Sequence, residues 1–279
     1  MSRFAYADLH IHTTVSDGSE DFETIIHRAA ALGLTHIAFT NHDTLSGIAT
    51  ARAAAADSRV SVIGGVEISA WDACRETRAH ILGLGFRSQR APAIAALCAP
   101  LLAQRDAQSH WQLEQLCKHG YQPDLEKVRR LSQASSCLYK QHLMAALTDA
   151  AFTSSAYQSL YRCLFKGGGI CDRDISYVDA RDAVQAIVED GGVAVLAHPG
   201  QFGNFDLVGD LVAVGLRGIE KYHPAHHQRE RQIVEQLAGE YGLVCTGGSD
   251  YHGRFGAPPQ IGVQLMTAAP GDGFLAELS

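Results

Sequence analysis

The chain has 279 residues, 46% of them hydrophobic and 19% charged, with a formal charge of −7. That composition supports a buried core and excludes a disordered chain, and the negative balance excludes a broad electrostatic grip on duplex DNA. The longest apolar stretch, around 93–103 and interrupted by Pro100, is too short to span a bilayer. The start, MSRFAYADLHIH, lacks the apolar run of a signal peptide, and the seven scattered cysteines form no C-x-x-C pair. A cytoplasmic protein with reduced thiols is therefore expected. The unusual count is 14 histidines.

In chain order, 4–12 reads as a strand and 23–32 as a helix with Ile25, Ile26, Ala29 and Ala30 on one side. A strand at 35–40, an alanine-rich helix at 47–56, and strands at 61–67 and 79–86 follow. From about 88 to 165 the pattern is purely helical, at 92–120, 124–131, 139–150 and 155–165. Alternation then resumes. A helix at 180–189 leads to a strand at 193–198, and a helix at 207–214 to a strand at 217–221. A helix at 228–241 leads to a strand at 243–249, and a last strand is expected at 261–266. This alternation predicts an α/β fold: a parallel sheet with helical crossovers, closed as a barrel of about seven units. The expected division is a barrel from 1–87 and 167–279, with a helical insertion at 88–166.

Barrel enzymes carry their chemistry at the C-terminal ends of strands. His10 and His12 end the first strand on one face, with Asp8, and His42 follows the second. Glu67 ends the third, His80 lies in the fourth and His198 ends the next. Glu220, with His223 and His226 beyond, ends the following one, and Asp250 and His252 end the last long strand. Each signal is weak alone. About 0.7 H-x-H triplets are expected by chance at this histidine content, so the motif decides nothing by itself. Taken alone, His80 reads more readily as a satisfied core histidine than as a ligand, and Glu67 could be answered by a lysine or arginine instead of a cation. His27, His36, His110 and His119 read as structural. The convergence on one rim carries the argument. Nine candidates (His10, His12, Asp17, His42, Glu67, His80, His198, Asp250 and His252) exceed one ion's needs and suit two or three sharing a carboxylate, Glu67. Nitrogen and carboxylate donors suit Mn²⁺, Fe²⁺ or Zn²⁺, and clustered cations point to hydrolysis at phosphorus or a carbonyl.

Six motifs in this order, DLHIHTTVSDG, TNHDT, GVEIS, HILGLG, AHPG and GSDYH, resemble the PHP (polymerase and histidinol phosphatase) superfamily of metal-dependent phosphoesterases. They span the chain apart from the helical stretch. The length and the insertion are similar to the nucleoside 3′,5′-bisphosphate phosphatases, also described as 5′-to-3′ exonucleases on short RNA. The resemblance implies a distorted (β/α)7 TIM-like barrel with the helical insertion over its active site. It implies that His10, His12, Glu67 and Asp250 hold one cation, that Glu67 bridges to a second with His80 and His198, and that Asp17, His42 and His252 hold a third. It further implies a hydroxide bridging the cations as nucleophile, and His226 as proton donor or phosphate ligand, with Asp43 a second catalytic candidate. Lys140, His142, Gln201, His226 and Arg254 are the expected substrate-binding residues.

Three positions depart from the family pattern. Asn41 stands where an aspartate is usual, Gln201 where an arginine grips phosphate, and Lys140 where another arginine does. The expected substrate is a small phosphorylated metabolite or nucleotide. The altered clamps leave room for a cyclic phosphate, a sugar phosphate or histidinol phosphate. An amidohydrolase-type metal hydrolase is the second reading, weakened by the lack of a suitable lysine at a strand end. A non-catalytic binding module is the third, weakened because every expected ligand position is filled.

Overall fold

A computed structural model describes residues 4–257, 260–269 and 271–279. Strand β1 (Ala5–Ile11) leads to helix α1 (Phe22–Ala31), which starts where the Asp21 side chain accepts the Thr24 N–H and buries Ile25, Ile26 and Ala29. Strand β2 (His36–Phe39), helix α2 (Ile48–Ala54) and strands β3 (Ser61–Asp72) and β4 (Thr77–Phe86) follow. Four helices come next: α3 (Pro92–Lys118), α4 (Leu125–Gln133), α5 (Lys140–Leu147) and α6 (Ser155–Phe165). After a two-residue strand β5 (Val178–Asp179), alternation resumes with α7 (Ala180–Glu189), β6 (Val193–Leu196), α8 (Pro199–Phe202) and α9 (Val208–Val212). The chain ends with β7 (Gly218–Tyr222), α10 (Gln228–Tyr241), β8 (Val244–Gly247), β9 (Met266–Ala268) and α11 (Gly273–Leu278).

One sheet runs β8-β7-β6-β4-β3-β2-β1-β9, with β5 added beside β3. It curls into a nearly closed TIM-like barrel. The end of β1 meets the loop after β8 across the closure, where the His12 N–H donates to the Tyr251 carbonyl at 2.8 Å and Ile11 bridges to Tyr251. The sheet is not wholly parallel, contrary to the sequence expectation. β3 runs on past Glu67 to Asp72, only four residues separate it from β4, and a parallel crossover needs a dozen or more. β4 is therefore antiparallel to both β3 and β6. The reversal has a functional consequence: it puts His80, near the start of β4, on the rim where the other strands end. The last strand is also displaced. Residues 261–266 form turns apart from Met266, Ile261 is buried in the core, and the strand is Met266–Ala268, antiparallel to β1.

Helices α7, α9 and α10 cover one side through Val184, Ile187, Leu211 and Val234, and α1 and α2 cover another. Phe274, Leu275 and Leu278 of α11 close the end of the barrel away from His80, beside Gly85. Helices α3–α6 have an apolar cluster of their own, including Leu116, Leu143, Met144, Tyr157 and Phe165. Among the described residues no helix is long and apolar enough to cross a membrane.

Candidate metal centre

His10 near the end of β1 and His12 just beyond it are two residues apart, and both are fully buried. Asp8, within β1, accepts the backbone N–H groups of Ser249 (2.9 Å) and Gly262 (2.7 Å), which fastens the loop after β8 to β1. Gly248 is required at that crossing, because a Cβ there would lie 2.2 Å from the His10 Cβ. The rim turns are strained in a recurrent way. Asp43, His198 and Asp250, each just beyond a strand, have φ of 58°, 26° and 51°. Non-glycine residues rarely adopt such angles, and in folded proteins they gather at functional sites.

Glu67 is the hub. Its carboxylate lies 2.7 Å from His80 Nδ1, 3.0 Å from His198 Nε2, 3.1 Å from His12 Nε2, 3.2 Å from His42 Nδ1 and 3.4 Å from His10 Nε2. Asp250 Oδ1 lies 3.4 and 3.3 Å from the same nitrogens of His10 and His12. Asp17 gathers His12 (3.5 Å), His252 (3.3 Å) and His42 (3.8 Å). Ligand atoms within 4.8 Å of one another thus form the sets His10–His12–Glu67–Asp250, Glu67–His80–His198 and His12–Asp17–His42–His252, with a further set His198–His223–Asp250. All nine candidates meet in one place.

The donor chemistry fits divalent cations. Buried polar atoms are normally paired, yet among the described residues His10 Nε2, both His12 nitrogens and His198 Nδ1 find no hydrogen-bond partner. Glu220 Oε1 lies 3.2 Å from His10 Nδ1 and accepts its proton, so Nε2, which faces Glu67 and Asp250, is the atom free to ligate once its own proton leaves. His252 Nδ1 donates to the Asp250 carbonyl (2.9 Å), so its Nε2 faces Asp17. Opposite charges control the titration. Against burial, the surrounding imidazoles hold Glu67, Asp17 and Asp250 well below the carboxylate range. Against burial, Glu67, Glu220 and Asp250 push His10 well up, and Asp17 and Asp250 raise His252 to about 10. Burial lowers His42 to about 3.

Beside this cluster opens a pocket lined by Arg78, Arg105, Tyr139, Lys140 and Tyr177 together with Asp17, His42 and His80. Three cationic side chains face one opening. Arg78 is paired with Asp174, and burial lowers the Lys140 ammonium. The sequence reading missed Arg78 and Arg105. Arg78 was detectable, being two residues before His80 on one strand face; Arg105 lies mid-helix in α3 with no local signal. The sequence marks Glu220 only as a strand end and His223 only as lying just beyond it. Glu220 also accepts the His198 N–H (2.8 Å), and His223 Nε2 lies 3.4 Å from Asp250. Asn41, in place of the usual aspartate, accepts from the Thr13 N–H (2.8 Å) and the Thr13 and Ser16 hydroxyls, bracing the loop that carries Asp17.

Five expected site residues stand elsewhere than anticipated. His226 is buried and saturated: Nε2 accepts the Gly200 N–H (2.9 Å) and Nδ1 donates to the Lys221 carbonyl (3.1 Å), so no ring proton is left for a leaving group. Asp43 does not face the cluster; it accepts from the Ser69 N–H (2.8 Å) and from Arg105 (2.8 Å). His142 is buried at the start of α5, where Nδ1 accepts the Tyr139 N–H (3.3 Å). Gln201 is exposed on α8 and lies outside the pocket lining. Arg254 is exposed and borders a separate groove with Lys127, Thr148 and Asp149.

Comparison with known proteins places this geometry. The PHP domain model matches residues 8–191. A phosphoribosyl 1,2-cyclic phosphate 1,2-diphosphodiesterase from Eggerthella lenta is 55% identical, over 92% of this chain and 98% of its own. A 3′,5′-nucleoside bisphosphate phosphatase from Chromobacterium violaceum is 30% identical, over 89% of this chain and 87% of its own. A crystal structure from Bifidobacterium adolescentis superposes with a TM-score of 0.84, covering 98% of this chain and 94% of its own; at 23% identity that likeness is one of fold. The chain belongs to the PHP domain family of metal-dependent phosphoesterases.

Proposed function

We propose that the chain hydrolyses a cyclic phosphate on a phosphorylated ribose, with the nine-residue cluster holding three divalent cations. Glu67 would serve two of them, one with His10, His12 and Asp250 and one with His80 and His198, and Asp17, His42 and His252 would hold the third. Mn²⁺, Fe²⁺ and Zn²⁺ all suit such nitrogen and carboxylate donors. When bound, these cations supply Lewis acidity toward phosphoryl oxygens and make water nucleophilic at neutral pH.

In the reaction, a water oxygen bonds to phosphorus, one ring P–O bond breaks, and the departing sugar oxygen takes up a proton. A phosphomonoester results. Arg78, Arg105 and Lys140 bind the substrate's second, non-reacting phosphate, and the buried wall of Tyr139 keeps water from that side. Glu220 holds His10 in the tautomer that presents Nε2, and fixes the His198 backbone. Residues 88–166 form the cap that supplies Arg105 and Lys140.

The observation that carries this reading is the convergence of Arg78, Arg105 and Lys140 on a pocket bordered by His42, His80 and Asp17. The high identity to the Eggerthella lenta diphosphodiesterase favours the cyclic ester over a nucleoside bisphosphate, which is named only for a relative at 30%. Exposed Gln201 agrees, since the arginine clamp of bisphosphatase-like members is absent. The test is product analysis with Mn²⁺-loaded protein on a ribose cyclic phosphate, adenosine 3′,5′-bisphosphate, AMP, histidinol phosphate and a short 5′-phosphorylated RNA. Ring opening of the cyclic phosphate should be fastest and absent in Asp250→Asn. Faster phosphate release from the bisphosphate would reverse the assignment, and faster turnover of RNA would make an exonuclease.

A further inference from the structure

The set Asp17–His42–His252 differs from its neighbours in one respect: residues from the helical segment reach it. Gln141 Nε2 donates to Asp17 Oδ2 at 2.8 Å. The Ser135 hydroxyl donates to the Ser16 carbonyl at 2.7 Å, and the Ser136 N–H to the Val15 carbonyl at 2.8 Å. The Tyr139 hydroxyl reaches the His42 carbonyl at 3.4 Å, and its ring lies over the His42 ring at 6.5 Å and 26°. Every one of these contacts lands on the loop after β1 or the loop after β2, which carry Asp17 and His42. Among the described residues, no hydrogen bond joins 135–141 to His10, His12, Glu67, His80, His198 or Asp250.

We infer that this cation site is completed across the junction between helical segment and barrel, and that Gln141 is a positioning residue for it. The inference rests on the three-cation reading above. A carboxylate must present a fixed oxygen to a cation, and outer partners of such ligands commonly set affinity by 10- to 100-fold. Gln141 holds Oδ2 and leaves Oδ1 toward His12 and His252. Because Lys140 is the adjacent residue and lines the pocket, substrate on Lys140 and a cation on Asp17 engage the same turn of chain. Linkage is reciprocal: if docking of 135–141 tightens the cation, the cation must tighten the docking.

The experiment is a chelator-competition titration of the full-length metal-free chain with Mn²⁺ alone, for wild type, Gln141→Leu and Ser135→Ala. His252→Asn identifies which binding step belongs to this set. That step should weaken about 10-fold or more in Gln141→Leu and measurably in Ser135→Ala, with the other steps within about 2-fold of wild type. Hydrogen exchange of wild type should show 134–142 gaining protection only when that step fills. An unchanged step in Gln141→Leu, or equal weakening of all steps, in a wild type that takes three cations overturns the inference. A wild type that takes two cations or none overturns the three-cation reading on which it rests.

Discussion

The Arg105 guanidinium lies 2.8 Å from Asp43 Oδ2, and the carboxylate it meets is fully buried at a backbone φ of 58°. Asp43 Oδ1 accepts the Ser69 N–H, and the Asp43 N–H donates to the Glu67 carbonyl. One ion pair thus ties α3 to the strained turn that presents His42 and to the strand that presents Glu67. Removing one member of a buried pair leaves the other uncompensated, at a cost of about 3 kcal/mol. Arg105→Met should lose about that much in urea unfolding. The double variant Arg105→Met/Asp43→Asn should lose less than the sum of the single changes. Burial raises the Asp43 pKa, and Arg105 opposes that rise. In Arg105→Met it climbs further. The folded state then prefers the protonated acid, so stability present at low pH is lost as pH rises through that raised value. The deficit should be larger at pH 8 than at pH 5; an equal deficit would remove Asp43 as its source.

Lys140 lines the pocket beside the cluster while its neighbour Gln141 donates to Asp17. Lys140→Ala should raise KM for phosphorylated substrates about 10-fold, the effect of losing roughly 1.4 kcal/mol of charge-assisted binding. Cation content by elemental analysis should stay at the wild-type value. Unchanged kinetics would remove Lys140 from the substrate site.

His226 has both ring nitrogens occupied and a pKa lowered mainly by burial. Its role is to hold α8, which follows His198 directly. His226→Phe should leave the Gly200 N–H without a partner and cost about 1–2 kcal/mol of stability. The shape of the pH–rate profile should be preserved. Loss of one limb of that profile would restore His226 as the proton donor.

Cation binding requires unprotonated imidazole nitrogens. His10 is pushed well up and His252 to about 10 by the carboxylates around them, so both carry protons at neutral pH before a cation arrives. Loading at pH 7 should release at least one proton per chain, read by calorimetry in buffers of different ionisation heat. Affinity should rise with pH between 7 and 10. The same raised values stabilise the cation-free fold below pH 6.5, a contribution lost as pH rises toward 10. Loading without proton release would contradict this account.

Glu220 accepts from His10 and from the His198 N–H. Glu220→Gln should weaken cation binding about 10-fold or more while leaving the secondary structure by circular dichroism intact. Unchanged affinity would reduce Glu220 to a packing role.

The sequence alone determined the elements that depend on local periodicity and on capping. Helices α6, α7 and α10 begin and end where the apolar spacing puts them, because an amphipathic stripe and its caps are written within a dozen residues. It also determined the convergence of metal-ligand residue types on strand ends, because a strand's face alternates with a period of two and its end is marked by a turn. The tertiary structure alone decided what depends on pairing partners. The direction of β4 follows from a hairpin whose length was legible only once β3 was seen to run to Asp72. The roles of His226 and Asp43 turn on the Gly200 amide, 26 residues away, and on Arg105, 62 residues away. A histidine or aspartate carries no local sign of whether its lone pairs are already taken. Arg105 and Gln141 stayed invisible for the same reason: they lie on helices, and which face of a helix meets a metal centre is settled by packing, not by spacing.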